Sequence, residues 1–246
     1  MDLSGKVAFV TGGSRGIGAG IVRGLAARGA KVVVNYVADP DDRNRADAET
    51  VAHEARNAIV VEADVADHAR VGTAMRAAIE HFGGIDILVN NAGILRDRTI
   101  RKMTAEDFDV VLRVNLGGAF NTIQHASTLL RPEGRIVNIA SVAGFAGFFG
   151  QANYAPSKAA IVSLTKVAAR EFARQRTTAN CVAPGFVDTG ILSEMPEDVL
   201  GKFLDQIPIG RIGHIDDIVN AVLFLCAPQS GYITGQTIHV NGGFWM

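Results

Sequence analysis

A tyrosine and a lysine, Tyr154 and Lys158, lie four residues apart at the start of an alanine-rich segment. The residues that follow them, 159–169, have the apolar pattern of a helix. Because side chains at positions i and i+4 are neighbours on a helix, we expect the phenol and the ammonium to lie side by side. A nearby cation favours the phenolate and lowers the pKa of a phenol. Such a phenol could exchange a proton with a carbonyl or an alcohol.

The same spacing would also suit an exposed lysine beside a packed tyrosine, and it occurs often by chance. A third candidate, Ser141, ends a predicted strand thirteen residues before Tyr154. The loop between them is rich in Gly and Phe and could bring the hydroxyl to the phenol. The other motifs of the chain therefore decide between chemistry and packing.

A glycine-rich segment follows the first predicted strand, Val7 to Val10, and leads into a helical pattern. Its sequence is Thr11-Gly12-Gly13-Ser14-Arg15-Gly16-Ile17-Gly18. A dinucleotide-binding turn requires this context of strand, glycine turn and helix. Its glycines allow a pyrophosphate to approach the backbone, and the helix N-terminus offers free N–H groups. An ordinary tight turn is the alternative.

The end of the second predicted strand bears on the choice between NAD and NADP. An NAD site usually has Asp or Glu there, bonded to the ribose 2′-hydroxyl. Here Asn35 follows the strand, and Asp39 comes four residues later in a predicted loop. Arg15 in the glycine turn could face a 2′-phosphate instead. We therefore favour NADP, with a surface position for Arg15 as the alternative.

Strands and helices alternate along the whole chain, which predicts a doubly wound parallel sheet of the Rossmann type. We expect about seven strands with helices on both faces, in a single α/β domain that spans residues 1–246. Later strands are predicted over 59–62, 85–89, 135–140, 177–182 and 235–240, and helices over 71–82, 104–130 and 215–226. The segment 191–207 is less periodic, and we expect it to move over a site.

Several polar residues have a structural as well as a functional interpretation. From its spacing, Asp64 is expected to cap the helix that follows it. Asn115 lies in an apolar helical pattern, where a buried amide is usually hydrogen-bonded and can kink the helix. A basic cluster is formed by Arg96, Arg98, Arg101 and Lys102. This cluster is either a solvated loop or an entrance that steers an anionic substrate.

The composition excludes several classes of protein. The 246 residues carry a formal charge of -1, which argues against a nucleic-acid binder. The two cysteines, Cys181 and Cys226, form neither a disulfide framework nor a metal-binding spacing, and we expect no metal. Neither a signal peptide nor a membrane span is visible in the sequence. We therefore expect a cytoplasmic protein.

Together these residues resemble the short-chain dehydrogenase/reductase family over essentially the whole chain. The motifs are Thr11-Gly12-x-x-x-Gly16-x-Gly18, Asp64, Asn90-Asn91-Ala92-Gly93, Asn115, Ser141, Tyr154-x-x-x-Lys158 and Pro184-Gly185, in the usual order and at the usual intervals. Each motif is weak by itself, but the ordered set is very specific.

The resemblance implies a role for each catalytic residue. Tyr154 would be the general acid in carbonyl reduction, and Ser141 would hydrogen-bond the carbonyl. Lys158 would lower the pKa of the tyrosine and hold the nicotinamide ribose, while Asn115 would support a water in the proton relay. Asp64 would contact adenine, which replaces the helix cap expected from its spacing.

The resemblance also implies the binding residues. The cofactor contacts would be Gly12, Ser14, Arg15, Gly16, Ile17, Gly18, Asn35, Asp64, Val65, Asn90, Ala92, Gly93, Tyr154, Lys158, Pro184, Gly185, Val187 and Thr189. The substrate contacts would be Ser141, Gln151 and Tyr154.

Within the family, the sequence looks most like the 3-oxoacyl-[acyl-carrier-protein] reductases, with the acetoacetyl-CoA reductases of polyester synthesis close behind. The shared segments are Asn91 to Ile94, Gly150 to Tyr154, Ala183 to Phe186, Tyr232 to Gly235 and His239 to Gly243. The implied activity is NADPH-dependent reduction of a 3-oxoacyl thioester. The alternatives are another secondary alcohol or ketone dehydrogenase and a cofactor-binding scaffold without turnover.

The resemblance further implies partners. Basic residues beside the active site would dock an acidic carrier protein, and the candidates are Arg131, Arg174 and Arg176. Pro132 and Gln175 stand where further arginines are expected. Members of this group are usually homotetramers, and the apolar end of the chain, residues 244–246, could be covered by a second subunit.

Overall fold

The computed structural model describes residues 1–190, 201 and 204–246, and these form a seven-stranded parallel sheet. Its strands are β1 (Val7–Val10), β2 (Lys31–Tyr36), β3 (Ala58–Glu62), β4 (Ile85–Asn90), β5 (Leu130–Ile139), β6 (Thr178–Pro184) and β7 (Thr237–Val240). Their order across the sheet is β3-β2-β1-β4-β5-β6-β7. The predicted fold class is confirmed, and the order reverses between β1 and β4, where such sheets bind ligands.

Helices cover both faces of the sheet. They are α1 (Gly16–Ala26), α2 (Arg43–Ala55), α3 (His68–Phe82), α4 (Ala105–Leu112), α5 (Gly118–Leu129), α6 (Ala143–Ala146), α7 (Tyr154–Glu171) and α8 (Ile215–Cys226). On one face, Val34 and Val89 pack with α1 and α8, and on the other, Phe9 and Leu88 pack with α3, α5 and α7. Burial on both faces explains why the strands read as continuous apolar runs.

Two glycines allow α1 to lie close against α8. A Cβ at Gly20 would be 2.3 Å from Cγ2 of Ile215, and one at Gly24 would be 2.5 Å from Cγ1 of Val219. The two helices therefore touch along a strip where α1 has no side chains. This contact fixes the helix whose N-terminus follows the glycine turn.

The helix predicted over 104–130 is interrupted. Thr104 and Asp107 form a capping box at the start of α4, and a wide π turn, Arg113–Gly117, separates α4 from α5. Asn115 lies inside this turn, so the helix is interrupted at the residue where a kink is expected. A π turn of this kind often marks a functional site.

The cap predicted at Asp64 is wrong. Helix α3 begins earlier than predicted, at His68, and its cap is Asp67, whose carboxylate accepts from the Arg70 N–H at 3.0 Å. The Asp64 carboxylate accepts from the Ala66 N–H at 2.9 Å and borders a cavity described below. Both residues are aspartates before the same helix, but only Asp67 stands directly before its first residue, His68.

Two further expectations concern the segment 191–207 and the absence of a membrane span. Of the segment 191–207, expected to move over a site, residues 191–200, 202 and 203 lie outside the described residues. None of the helices in the described ranges is both long enough and apolar enough to span a membrane.

Candidate active site

Tyr154 and Lys158 lie side by side in the first two turns of α7, as their spacing predicts. The lysine Nζ is 5.7 Å from the centroid of the tyrosine ring. The helix begins here because the Asn153 side chain accepts from the Tyr154 N–H at 2.7 Å. Asn153 is itself held by donating to the backbone oxygens of Arg96 and Asp107, each at 2.9 Å. The cap thus ties the start of α7 to the loop before α4 and to α4 itself.

The phenol of Tyr154 is more basic than the sequence suggests. Burial raises its pKa above the ordinary value, and the hydrogen bond from Ser141 lowers it only in part. The negative charge of the nearby Asp97 carboxylate raises the pKa of Tyr154 slightly further. The net pKa of Tyr154 is therefore raised and not lowered as expected, because desolvation outweighs the favourable contacts. The Ser141 hydroxyl does meet the phenol, as predicted.

Lys158 is a buried ammonium with few compensating partners among the described residues. Its Nζ donates to the backbone oxygen of Ile139 at 2.8 Å, at the carboxyl end of β5. Burial lowers the pKa of Lys158 to about 8. The side chain is therefore poised to change charge within two units of neutrality, and its position is set by the strand end beneath it.

Asn115 and Lys158 converge on Gly93. A Cβ at Gly93 would lie 3.2 Å from the Asn115 Oδ1 and 3.5 Å from the Lys158 Nζ, so the missing side chain leaves room for both groups. The Asn115 amide accepts from the Ile94 N–H at 2.8 Å and donates to the Ser157 Oγ at 3.1 Å. The wide turn between α4 and α5 thereby places this amide beside the lysine, directly linked to α7.

A cavity of about 680 Å³ opens at the sheet's switch point, beside the carboxyl ends of β1, β2 and β4. The predicted cofactor residues that line it are Gly12, Ser14, Arg15, Ile17, Gly18, Asn35, Asp64, Val65, Ala92, Gly93 and Thr189. Sequence reasoning missed Tyr36, Val37, Asn44, Ala63, Asn91, Ile94, Leu95 and Val114, which also line it. The strand-end positions Tyr36 and Val37 could have been inferred, but Asn44 on α2 could not.

The glycine turn fits a phosphate-bearing ligand. A Cβ at Gly18 would lie 2.1 Å from the Gly12 carbonyl oxygen, so only glycine allows the helix to approach the turn this closely. The Asn91 amide donates to the carbonyl oxygens of Thr11 and Gly12, at 3.1 and 3.0 Å, and fixes the turn to the end of β4. The N-terminus of α1 therefore faces the cavity with its positive dipole end, which favours an anion.

The ribose end of the cavity contains a basic side chain. The Arg15 guanidinium hydrogen-bonds to the Asn44 side chain and lies 3.2 Å from an Asp47 carboxylate oxygen. Asn35 borders the cavity, but its amide donates to the carbonyl oxygens of Val61 and Ala63, at 3.3 and 3.0 Å. Asn35 thus supports β3, while Arg15 is the cation available to a ligand.

Some predicted cofactor residues lie outside this lining. The Asn90 side chain donates to Asn138 at 2.8 Å and accepts from Thr122 at 2.6 Å, so it faces the interior and not the cavity. Pro184 and Gly185 end β6, and a Cβ at Gly185 would be 2.7 Å from that of Asn241. The remaining residues outside the lining are Gly16, which faces Thr189, Val187, which packs on the core, and Tyr154 and Lys158.

Gln151 lies in the loop that leads into α7. Its Nε2 donates to Asp97 at 3.2 Å, and its Oε1 is buried without a partner among the described residues. Its backbone pairs with Arg98, which anchors the loop to the basic cluster. Within that cluster Arg96 lies 3.6 Å from the Asp107 carboxylate, while Arg101 and Lys102 are exposed. Steering by this cluster stays a prediction.

The three arginines predicted to dock a carrier lie near the amino ends of β5 and β6 within this chain. Arg131 is at the start of β5 and bonds to Asp86 at 3.1 Å, and Arg176, just before β6, bonds to Glu133 at 2.7 Å. Arg174 is in the preceding turn. Ser141, in contrast, follows the carboxyl end of β5, and docking of a carrier by these arginines stays a prediction.

A family model described as Enoyl-(Acyl carrier protein) reductase matches residues 12–245. A short-chain dehydrogenase/reductase from Serratia marcescens has a similar structure, with a TM-score of 0.91, 42% identity and 99% of each chain covered. The chain belongs to the short-chain dehydrogenase/reductase family. As a short-chain dehydrogenase/reductase, it is an oxidoreductase that acts on a CH–OH or C=O group.

Other members of the short-chain dehydrogenase/reductase family are similar over the full length. The chain is 43% identical over 243 residues to the 3-oxoacyl-[acyl-carrier-protein] reductase FabG of Staphylococcus aureus, covering 98% of each. It is 41% identical to the FabG of Aquifex aeolicus, covering 100% of this chain and 99% of that protein. A blue fluorescent protein from a metagenomic library, solved in complex with NADPH, has 38% identity and a TM-score of 0.92 over 100% of both chains.

Proposed function

We propose that this protein uses NADPH to reduce a 3-oxoacyl thioester to the 3-hydroxyacyl thioester. The observation that carries the proposal is the Ser141–Tyr154 hydrogen bond beside a buried lysine, whose Nζ adjoins Gly93 in the lining of the cavity at the switch point. A hydroxyl and a phenol that lie this close together can both donate hydrogen bonds to one carbonyl oxygen. The named activity of its full-length relatives supports the thioester as substrate.

The bound cofactor supplies the hydride, and the protein supplies position and a proton. The raised pKa of Tyr154 keeps its phenol protonated at neutral pH, ready to donate to the carbonyl oxygen as that oxygen gains charge. Ser141 donates a hydrogen bond to the same oxygen. Lys158 holds the ribose side and stabilises the phenolate that remains. Hydride and proton together convert the C=O group into CH–OH.

The pH dependence of reduction should follow the protonated phenol. Because the pKa of Tyr154 is raised, kcat for reduction should be level around neutral pH and should fall only on the alkaline side. The reverse oxidation needs the phenolate as base, so its rate should rise with pH over the same range. The measurement is kcat in both directions between pH 6 and 10; a reduction rate that falls on the acidic side would contradict it.

The choice of NADPH rests on Arg15. Arg15→Ala should raise the KM for NADPH roughly 10- to 100-fold, because a charged hydrogen bond to the 2′-phosphate contributes about 1.5–3 kcal/mol, and should leave the KM for NADH unchanged. Arg43→Ala is the matched control, since Arg43 is exposed and lies 3.6 Å from Asp41. Equal effects on the two cofactors would show that Arg15 does not read the phosphate.

The activity itself is tested by initial rates with acetoacetyl-CoA and either NADPH or NADH. Fast oxidation of NADPH supports the proposal, and crotonyl-CoA separates carbonyl reduction from enoyl reduction. A second series compares CoA thioesters with acyl-carrier-protein thioesters, since both carriers fit the resemblance. Turnover of free ketones or secondary alcohols, with none of thioesters, would instead assign another dehydrogenase of this family.

We also propose that residues 1–246 form one domain that works as a cytoplasmic homotetramer. The outward stripe of α7 consists of small and apolar residues that a partner helix could approach, among them Ala159, Ser163 and Val167. Cys181 and Cys226 are buried free thiols, which suits a reducing compartment. Sedimentation at several protein concentrations tests the assembly, and a monomer throughout would overturn it.

A further inference from the structure

A row of polar side chains crosses the buried sheet beneath the catalytic helices. It consists of Thr122, Asn90, Asn138, Thr165 and Cys181, which we call the polar row. Three of its members share one register: Asn90 on β4 pairs with Asn138 on β5, which pairs with Cys181 on β6. The relative exposures of the five residues range from 0% to 6%. Burying such groups is unfavourable unless each finds a partner.

Hydrogen bonds join every neighbouring pair in the polar row. The Thr122 hydroxyl donates to the Asn90 Oδ1 at 2.6 Å, and the Asn90 Nδ2 donates to the Asn138 Oδ1 at 2.8 Å. The Asn138 Nδ2 then donates to the Thr165 Oγ1 at 2.7 Å, and this oxygen lies 3.0 Å from the Cys181 sulfur. Rotating one amide alone would set like groups against each other, so the orientation of each amide fixes that of the other.

The two threonines of the polar row lie on helices next to the active site: Thr122 is on α5 and Thr165 is on α7. Thr122 lies seven residues after Asn115, and Thr165 lies seven residues after Lys158. Seven residues are about two turns of helix, so each threonine is on nearly the same face as its catalytic partner. The polar row is also connected to the lysine through β5. Lys158 donates to the backbone oxygen of Ile139, the residue after Asn138.

We propose that the polar row sets the position of Lys158 relative to Asn115, with Asn138 and Thr165 as positioning residues for the reduction proposed above. An apolar row would fill the same space, but it would allow the two helices to slide over the sheet. A connected hydrogen-bond chain specifies one distance between them. The positions of Lys158 and Asn115 do not depend on which reaction the protein catalyses, so only the kinetic test of this proposal rests on the proposed function.

The kinetic test compares three variants with the wild type. Thr165→Val removes the hydroxyl at constant shape and should lower kcat about tenfold, with KM values within twofold. Thr165→Ser keeps the hydroxyl and should restore most of kcat. The control is Thr178→Val, because the Thr178 hydroxyl is buried without a partner in the described part of the chain; its kcat should be unchanged. Equal kcat for Thr165→Val and Thr178→Val would overturn the proposal.

The pH profile separates positioning from mere loss of stability. If Thr165→Val releases Lys158 towards solvent, the pKa of the lysine should rise from about 8 towards its ordinary value, and the alkaline fall in kcat, to which loss of the lysine's charge contributes beside the phenol, should move to higher pH. A variant that is only less stable would keep the wild-type profile at temperatures where it is folded. An unshifted profile with a lowered melting temperature would therefore count against positioning.

A second test needs no substrate. Thr165→Val and Lys158→Met are combined in a double-mutant cycle, and unfolding in urea is measured for all four proteins at one concentration. Positioning predicts that the two changes are non-additive, by roughly fivefold or more in the unfolding equilibrium constant. Additive effects would overturn the proposal. Because the cycle does not depend on turnover, failure of the thioester reaction and failure of the polar row remain distinguishable.

Discussion

Tyr154→Phe should lower kcat by roughly 10³-fold, since a positioned general acid typically contributes 10²–10⁴-fold. The substitution removes one oxygen and keeps the ring, so the shape of the site is preserved. Ser141 alone would still bond the carbonyl oxygen but would have to act as the acid with a much less acidic hydroxyl. The dissociation constant for NADPH should change by less than about threefold, because the cavity lining described above does not include the phenol.

The measurement combines steady-state kinetics with titration of NADPH fluorescence. Tyr232→Phe is the matched control, because Tyr232 is fully exposed and should keep the wild-type rate. Retention of kcat within about tenfold in Tyr154→Phe would assign the acid to another group. Parallel losses of rate and NADPH affinity would indicate a collapsed site and not a missing proton.

The sequence predicts the fold well because its signals are local and repeated. Each strand is an apolar run, each helix has its own period, and the strict alternation leaves one layered arrangement. The pairing of Tyr154 with Lys158 is also predictable, since both lie on one helix. The interruption at Asn115 could be anticipated because a polar amide stands in an apolar pattern.

The errors concern properties that depend on distant parts of the chain. The cap of α3 is Asp67 and not Asp64, because the helix begins at His68, a boundary that the apolar pattern from Val71 onwards does not reveal. The pKa of Tyr154 is raised and not lowered, because desolvation is set by residues far away in the sequence. Asn35 turns its amide into β3, which the spacing along β2 does not reveal.

Lys158→Met should abolish most activity and yet stabilise the fold at neutral pH. The lysine has a folded-state pKa of about 8 against an ordinary 10.5, so keeping it charged inside the protein costs roughly 3 kcal/mol. Losing its hydrogen bond to Ile139 offsets about 1–2 kcal/mol of the gain. The net free energy of unfolding should therefore rise by about 1–2 kcal/mol at pH 7.

The stabilisation expected from Lys158→Met depends on pH. Below pH 8 the lysine is charged in both folded and unfolded states, so the penalty is complete. Between about pH 8 and 10.5 the unfolded state binds more protons, so the stability of the wild type rises with pH. The advantage of Lys158→Met should shrink across that window and be lost above it. Urea unfolding at pH 7 and at pH 10 tests both the size and the trend.

Lys166→Met provides the control, because Lys166 is on the same helix but exposed. It should change stability by no more than about 0.5 kcal/mol and leave kcat intact. A Lys158→Met protein that is less stable than the wild type at pH 7 would show that the ammonium stabilises the fold. The expected opposite result would mean that this buried charge is retained for the reaction at the expense of stability, as strained groups at active sites often are.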